Sequence, residues 1–183
     1  MQPVGVRGYF GIGVQGVSKP MNLGSLLRTA HAFGASFAFT IAGEVERQEA
    51  EQADTSHALA AMPFFPFASV GDVRLPDGCK LVGQEFSEAA TELPVFVHPR
   101  QAAYVLGPER GSLSPALVAR CDYVVRIPTA FCVNVGIAAA LVMYDRVLTL
   151  GRFAPRPVRV GGPDAPLPPP VHGAPIRRRS RPK

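Results

Sequence analysis

Apolar residues in the first 150 positions alternate between short continuous runs and runs with helical spacing. The short runs are rich in β-branched and aromatic residues, which is typical of strands. They are Tyr9–Val14, Phe37–Ala42, Lys80–Gln84, Ala102–Leu106 and Tyr123–Ile127. Because helical patterns separate these runs, the sequence predicts an α/β fold with a mainly parallel sheet flanked by helices.

The clearest helical pattern runs from about Leu23 to Phe33. Its apolar residues recur every three or four positions and form one stripe. Asn22 is a suitable N-cap residue, and Gly34 is a suitable helix end. At about 100° per residue, Arg28 lies roughly 140° around the helix from Leu23, so it is predicted to point away from the core.

A second long helix is predicted from about Val135 to Leu150, with Asn134 placed to cap it. This segment is apolar on most sides through Met143. Such a helix is expected to be buried in a core or an interface.

Composition divides the chain into two parts. Residues 1–150 are long enough for one domain with a substantial core. Residues 151–183 hold nine of the 19 prolines and carry eight basic residues against one acidic residue, a net charge of +7, whereas the rest of the chain carries −2. This Pro/Arg-rich tail is predicted to be disordered, and its charge fits either RNA contact or simple solubility.

Three cysteines bear on the compartment. Cys79, Cys121 and Cys132 are widely spaced and odd in number, which favours neither a disulfide framework nor a zinc site.

The longest apolar run, Val135–Tyr144, is interrupted by Gly136 and is shorter than the ~20 residues that span a bilayer. No apolar stretch of signal-peptide length lies near the N-terminus. We therefore expect a cytoplasmic protein without a metal site or membrane contact.

The segment Gly11–Gly16 matches the GxGxxG pattern of dinucleotide-binding loops. That pattern requires a complete strand before its glycines and a helix that opens at the third glycine. Here the glycines lie within or beside the first predicted strand, and Pro20 follows closely. A nicotinamide-dependent enzyme is therefore a weak alternative.

Three segments place polar residues at predicted strand ends and helix starts: Asn22–Ala30, Leu106–Ser114 and Ile127–Gly136. Each segment alone is explained by turn and capping chemistry. In an open α/β sheet, however, ligands bind beyond the carboxyl ends of the strands. The three segments together therefore predict one ligand site.

In this order and spacing, the three segments resemble the motifs of the SpoU-type (TrmH-like) RNA 2′-O-ribose methyltransferases, a branch of the SPOUT superfamily. The resemblance covers about Tyr9 to Leu150. It implies S-adenosylmethionine as methyl donor, an RNA substrate, a C-terminal trefoil knot and a homodimer. General topology rules treat knots as nearly absent, so the knot rests on the resemblance alone.

The resemblance also implies roles for individual residues. The catalytic positions fall on Arg28, Asn22 and Glu109. The donor-binding positions fall on Leu106, Gly107, Ile127, Pro128, Val133 and Asn134. The chain departs from the family pattern in two motifs: Cys132 and Gly136 stand where the family commonly has serines, and Ser112 stands where it often has a glycine, which has moved to Gly111.

Methyl transfer requires a positioned donor and help in removing the proton of the ribose hydroxyl. Because a guanidinium stays protonated, Arg28 is better suited to hold a phosphate or stabilise the attacking oxygen than to act as base. Glu109 could bind Arg28, contact a partner subunit or favour the start of the following helix. The role of each residue stays open at this point.

Other residues are expected to be structural. His57 and His98 are predicted to lie on the surface, and the aromatic residues Phe64, Phe65 and Phe67 are predicted to pack a loop onto the core rather than stack on bases. Transfer RNA is the preferred substrate, with ribosomal RNA as the second choice. A non-catalytic RNA-binding or assembly protein on the same scaffold is the alternative function.

Overall fold

The computed structural model describes residues 8–45, 49, 52, 58–108 and 111–151. The strands are β1 (Tyr9–Gln15), β2 (Phe37–Ile41), β3 (Phe64–Phe67), β4 (Lys80–Gln84), β5 (Thr91–Glu92), β6 (Gln101–Leu106) and β7 (Tyr123–Arg126). The helices are α1 (Pro20–Ala32), α2 (Ala58–Ala61), α3 (Pro115–Val118) and α4 (Val135–Leu150). Short 3₁₀ turns occupy Val70–Asp72 and Leu93–Val95.

The strands form one parallel sheet in the order β3-β2-β1-β6-β4-β7-β5. From β1, the chain first adds β2 and β3 on one side and then forms β4 to β7 on the other side. All carboxyl ends therefore meet at one edge of the sheet. The predicted α/β fold is confirmed, and all five predicted strands are present within one residue of their expected ends.

Side chains alternate between the two faces of the sheet. Along β6, Tyr104 and Leu106 pack on one face with α1 and α4, whereas Ala103 and Val105 pack on the other face with Leu117 of α3. Both faces are apolar, as expected for a parallel sheet with covered faces.

The glycine pattern of β1 has a packing cause. A Cβ at Gly11 or Gly13 would overlap the ring of Phe37 or Phe39 on the neighbouring β2. Both glycines lie inside the strand rather than in a loop after it. Because glycine has no side chain, the rings of Phe37 and Phe39 can occupy this space. Packing therefore explains both glycines without a dinucleotide-binding loop.

Helix α1 starts three residues earlier than predicted. Pro20 occupies the first turn and Lys19 is the N-cap residue, so the prediction that Asn22 caps this helix is wrong. Proline is favoured there because its fixed φ suits the helix and its missing N–H is not needed. The predicted end is confirmed: Gly34 has φ +74°, its N–H donates to the His31 carbonyl, and the exposed side chain of Arg28 lies off the buried stripe.

Helix α4 has the predicted bounds and the predicted cap. The side-chain oxygen of Asn134 accepts the Gly136 N–H at 2.9 Å. One side of the helix packs into the core, but the opposite side exposes Ile137, Leu141 and Tyr144. These three residues follow helical spacing, so they form one exposed apolar stripe.

At the amino edge of the sheet, the guanidinium of Arg146 is buried with only 4% of the residue exposed. It donates to the main-chain carbonyls of Tyr9, Pro99 and Arg100 and to the Tyr104 hydroxyl. Arg146 therefore joins the C-terminal half of α4 to the starts of β1 and β6.

Tyr104 continues this network. Burial raises the pKa of Tyr104 to about 12, so its hydroxyl stays protonated. Since that oxygen accepts from Arg146, its own proton is directed to Nδ1 of His98, 2.6 Å away. His98 Nε2 then donates to the Asp145 carboxylate at 2.9 Å. The expectation that His98 lies on the surface is wrong, because it is buried as a linking group in this network.

Two short strands escaped prediction. Phe64–Phe67 form β3 at the sheet edge, where Pro66 is tolerated because an edge strand needs fewer N–H donors. The predicted packing of Phe64 and Phe67 onto the core is confirmed, though from a strand, whereas the same prediction for Phe65 is wrong because its side chain is exposed. β5 has two residues, too few for a recognisable pattern. His57 and the tail 152–183 lie outside the described residues.

Candidate functional site

A cavity of about 290 Å³ opens at the carboxyl ends of β4, β6 and β7. This volume is close to the lower end of ligand pockets in proteins, roughly 300 Å³. Its walls are formed by Gln84, Glu85, Phe86, Leu106, Gly107, Pro108, Gly111, Ile127, Thr129, Cys132, Val133, Asn134, Val135 and Ala138. The cavity lies at the sheet edge where an open α/β fold binds its ligands.

Most of the residues expected to bind a donor lie around this cavity. Leu106 and Gly107 form the wall at the end of β6, and Ile127, Val133 and Asn134 form the wall between β7 and α4. Pro128 lies in the same connection but does not line the cavity. The binding roles themselves stay predictions.

The two expected asparagines meet at this site. Asn134 Nδ2 donates to Asn22 Oδ1 at 3.4 Å, while Asn134 Oδ1 caps α4. Asn22 therefore joins the start of α1 to the start of α4. Its position follows from the early start of α1, which places it inside the first turn.

The structure does not bring Arg28 to the cavity wall. Arg28 is exposed on α1, six residues after Asn22, which corresponds to a rise of about 9 Å along the helix axis. Glu109 lies outside the described residues. Of the three expected catalytic residues, Asn22 bonds to a residue of the cavity wall, Asn134.

Two residues that the sequence did not single out have polar contacts at this edge. Glu85 follows β4 directly, lines the cavity, and accepts the Leu113 N–H at 2.6 Å and the Phe86 N–H at 2.9 Å. Gln15 ends β1 and bonds to Ser114. Both are polar residues at the carboxyl end of a predicted strand, and this rule could have found them.

The structure shows the surroundings of Cys132 and Gly136, which stand where the family commonly has serines. Cys132 is exposed on the cavity wall, and a Cβ at Gly136 would lie 2.9 Å from the Ser25 hydroxyl oxygen. Gly136 therefore allows α1 to approach the first turn of α4 closely. All three cysteines are free.

Chemically, the described part of the cavity is mixed. Leu106, Ile127 and Val133 supply apolar walls, and Glu85 supplies the one charged side chain among its described lining residues. Within the described ranges, His, Cys, Asp and Glu side chains form no group that could hold a metal ion. The same ranges contain no helix that is both long and apolar enough to cross a membrane.

The SpoU rRNA methylase family matches residues 10–144. The chain belongs to this family. A mouse relative, the tRNA (guanosine(18)-2′-O)-methyltransferase TARBP1, is 26% identical over 140 residues, covering 70% of this chain. The expected family membership is thus confirmed.

Solved structures of the family have the same fold. The AdoMet-bound rRNA methyltransferase from Sinorhizobium meliloti is 21% identical and superposes with a TM-score of 0.70 over 78% of this chain. The SpoU methyltransferase AviRb from Streptomyces viridochromogenes, in complex with AdoMet, is 27% identical with a TM-score of 0.67 over 76% of this chain.

This chain spans only part of each of these relatives. It covers 9% of the length of the mouse protein, 59% of the Sinorhizobium chain and 57% of the Streptomyces chain. The shared region is the α/β domain that carries the cavity.

Proposed function

We propose that this protein transfers the methyl group of S-adenosylmethionine to a ribose 2′-hydroxyl of RNA. The observation that carries this proposal is the cavity at the carboxyl edge, which is walled by five of the six residues expected to bind the donor. Family membership supports the same chemistry, and two of the similar structures are described as bound to AdoMet.

The cavity has suitable chemistry for this donor. Its apolar walls, among them Leu106, Ile127 and Val133, fit an adenine ring. S-adenosylmethionine supplies an electrophilic methyl group and leaves as S-adenosylhomocysteine. The cavity residues would bind and orient it, since much of the rate of such a transfer comes from positioning.

The target hydroxyl must lose its proton as the carbon–oxygen bond forms. We assign Arg28 to charge stabilisation rather than proton removal, because a guanidinium stays protonated and grips phosphate through two parallel hydrogen bonds. Asn22 fixes the start of α1 against Asn134. Glu109 stays a candidate for the remaining catalytic position.

Donor binding separates this proposal from its alternative. Isothermal titration with S-adenosylmethionine should show saturable binding to the wild-type protein. A non-catalytic RNA-binding or assembly protein on the same scaffold would show none. Mapping of 2′-O-methylated positions in total RNA, with and without the protein, would then identify the substrate. We prefer transfer RNA, since the mouse relative is named for it, with ribosomal RNA second.

Arg28→Ala tests the catalytic assignment. Loss of a group that stabilises transition-state charge costs about 10²–10³ in rate, so transfer to RNA should fall by at least that factor while donor affinity stays within about twofold. Arg74→Ala is the matched control, since Arg74 is also exposed and its guanidinium bonds to nearby carbonyls away from the cavity. Unchanged turnover in Arg28→Ala would remove Arg28 from the mechanism.

We also propose that the protein is a homodimer formed through α4. The stripe of Ile137, Leu141 and Tyr144 is 56%, 38% and 52% exposed. Apolar side chains aligned on one exposed helix face are typical of an interface. Leu141→Glu should shift the protein to a monomer in sedimentation velocity experiments, whereas Val97→Glu, at an exposed apolar residue outside α4, should not. A dimer that survives Leu141→Glu would exclude this face.

Three further proposals follow from the family and the sequence. The C-terminal part of the domain forms the trefoil knot that the family implies. The protein acts in the cytoplasm, consistent with its three free cysteines.

The basic tail binds RNA phosphates. Its removal from Gly151 should weaken RNA binding and lower the salt dependence of the affinity. An unchanged salt slope would leave the tail with a solubilising role.

A further inference from the structure

Two side chains from different strands hold one segment of the loop that follows β6. Gln15, at the end of β1, donates to the Ser114 hydroxyl at 2.8 Å and accepts the Ser114 N–H at 2.8 Å. Glu85, just after β4, accepts the Leu113 N–H at 2.6 Å. Leu113 and Ser114 are therefore fixed from both neighbouring strands of β6.

This segment is tied to the cavity wall by close packing. A Cβ at Gly107 would lie 3.3 Å from the Leu113 nitrogen, so the peptide bond between Ser112 and Leu113 lies directly against the end of β6. The ring of Pro108 packs against two glycines. A Cβ at Gly16 would lie 3.4 Å from this ring, and a Cβ at Gly111 would lie 3.6 Å from it. The wall formed by Gly107 and Pro108 thus rests on both the loop and the end of β1.

The core fixes the same segment from below. Leu113 is 4% exposed and packs with Leu117 in the apolar cluster beneath the sheet. Ser114 caps α3, accepting the Leu117 N–H at 3.3 Å. A displacement of this segment would therefore break a cap and expose a buried leucine, both of which are unfavourable.

We propose that Gln15 and Glu85 are positioning residues for the methyl donor, acting through Leu113 and Ser114 on the wall formed by Gly107 and Pro108. This inference rests on the proposed function, because it presumes that the cavity binds the donor. It also gives the glycine-rich segment Gly11–Gly16 a role at the site: its last two residues support the donor wall.

Glu85 acts through the backbone rather than by charge on the donor. Each of its two carboxylate oxygens already accepts a main-chain N–H, one from Leu113 and one from Phe86. Loss of Glu85 should therefore weaken ligands with and without a positive charge on sulfur alike. S-adenosylmethionine and S-adenosylhomocysteine provide this pair, since they differ by the methyl group and the charge on sulfur.

The experiment is isothermal titration of both ligands into the full-length wild-type protein and three variants, Gln15→Leu, Gln15→Glu and Glu85→Gln. Gln15→Leu keeps the size and loses both hydrogen bonds. Glu85→Gln places an amide N–H₂ against one of the two backbone N–H donors. Gln15→Glu keeps two acceptors, because both the N–H and the O–H of Ser114 can donate to a carboxylate.

We expect Gln15→Leu and Glu85→Gln to weaken both ligands by the same factor, roughly tenfold, which corresponds to about 1.4 kcal/mol. Gln15→Glu should stay within about twofold of the wild type. In steady-state methylation, the KM for the donor should rise in the first two variants while the KM for RNA stays constant. Ser69→Ala, which loses an exposed hydrogen bond to Asp72 away from the cavity, should change nothing.

Three results would overturn the inference: unchanged affinities in Gln15→Leu and Glu85→Gln, a loss for S-adenosylmethionine alone in Glu85→Gln, or an equal loss in Gln15→Glu and Gln15→Leu. Thermal unfolding without ligand identifies any variant that does not fold, and the paired Gln15 variants keep the test decisive if Glu85→Gln is one of them. Failure of the proposed function is distinguishable, since the wild-type protein would then bind neither ligand.

Discussion

The two edges of the sheet use polar groups in opposite ways. At the amino edge, the buried Arg146 donates to three carbonyls and to Tyr104, which is linked to His98 and Asp145. At the carboxyl edge, Glu85 and Asn134 also bond to the backbone, but they line an open cavity. At the amino edge the described polar groups of this network bond to one another, whereas the carboxyl edge leaves room for a ligand.

This difference assigns separate tasks to the two edges. A buried polar group without a partner costs about 1–3 kcal/mol, so changes at the amino edge should act mainly on stability. At the carboxyl edge, the same kind of hydrogen bond fixes a wall of the cavity, so changes there should act mainly on ligand affinity. The expected effects below are ordered by size.

The largest effect is expected for Arg146→Met. This substitution leaves the buried carbonyls of Tyr9, Pro99 and Arg100 without a hydrogen-bond donor. The free energy of unfolding, measured with urea, should therefore fall by about 3 kcal/mol or more. Lys80→Met is the control at the same edge, because its ion pair with Asp122 is half-exposed and therefore contributes little to stability. Equal losses in the two variants would contradict the structural role of Arg146.

A smaller effect is expected for Asn134→Ala at the carboxyl edge. Loss of an N-cap costs about 1 kcal/mol, and donor affinity should fall as well, since Asn134 lines the cavity. Asn134→Asp keeps the capping acceptor but cannot donate to Asn22. If stability is restored in Asn134→Asp while transfer stays low, the contact between the two asparagines matters for activity; if both variants match the wild type, it does not.

The smallest effect is expected from pH. Burial lowers the pKa of His98 below its usual 6.5, although the bond to Asp145 opposes this shift, and Tyr104 and Arg146 complete its polar surroundings. Because the unfolded chain then takes up the proton at higher pH than the folded protein, stability should fall as the pH is lowered below about 6.5.

Urea unfolding at pH 7.5 and 5.5 measures this dependence. His98→Gln should flatten it, and His31→Gln, at an exposed site outside the network, is the control. A steep dependence that persists in His98→Gln would place its origin outside the amino-edge network.

The sequence predicted those features well that depend on a single short segment of the chain. The stripe of α1, the glycine that ends it and the cap of α4 follow from spacing and from backbone chemistry. The start of α1 was misplaced because Asn22 and Pro20 are both suitable near a helix start, and the proline prevailed. β3 was missed because Pro66 argues against a strand until its place at the edge is known.

The candidate site was predictable in part for the same reason. The connections after β6 and β7 were found from turn residues at strand ends, and these connections line the cavity. Gln15 and Glu85 follow predicted strands, but their partners are distant in the chain: 99 positions separate Gln15 from Ser114 and 28 separate Glu85 from Leu113. No local pattern records such a contact.

By itself, the sequence determined the α/β class, the main helices and strands, and the segments that carry the family's motifs. These depend on the spacing of apolar residues and on turn chemistry, which act over a few positions. Only the tertiary structure decided which polar groups meet. It buried His98 with Arg146 at one edge and placed Gln15 and Glu85 against Leu113 and Ser114 at the other, because strand order, rather than chain order, brings those residues together.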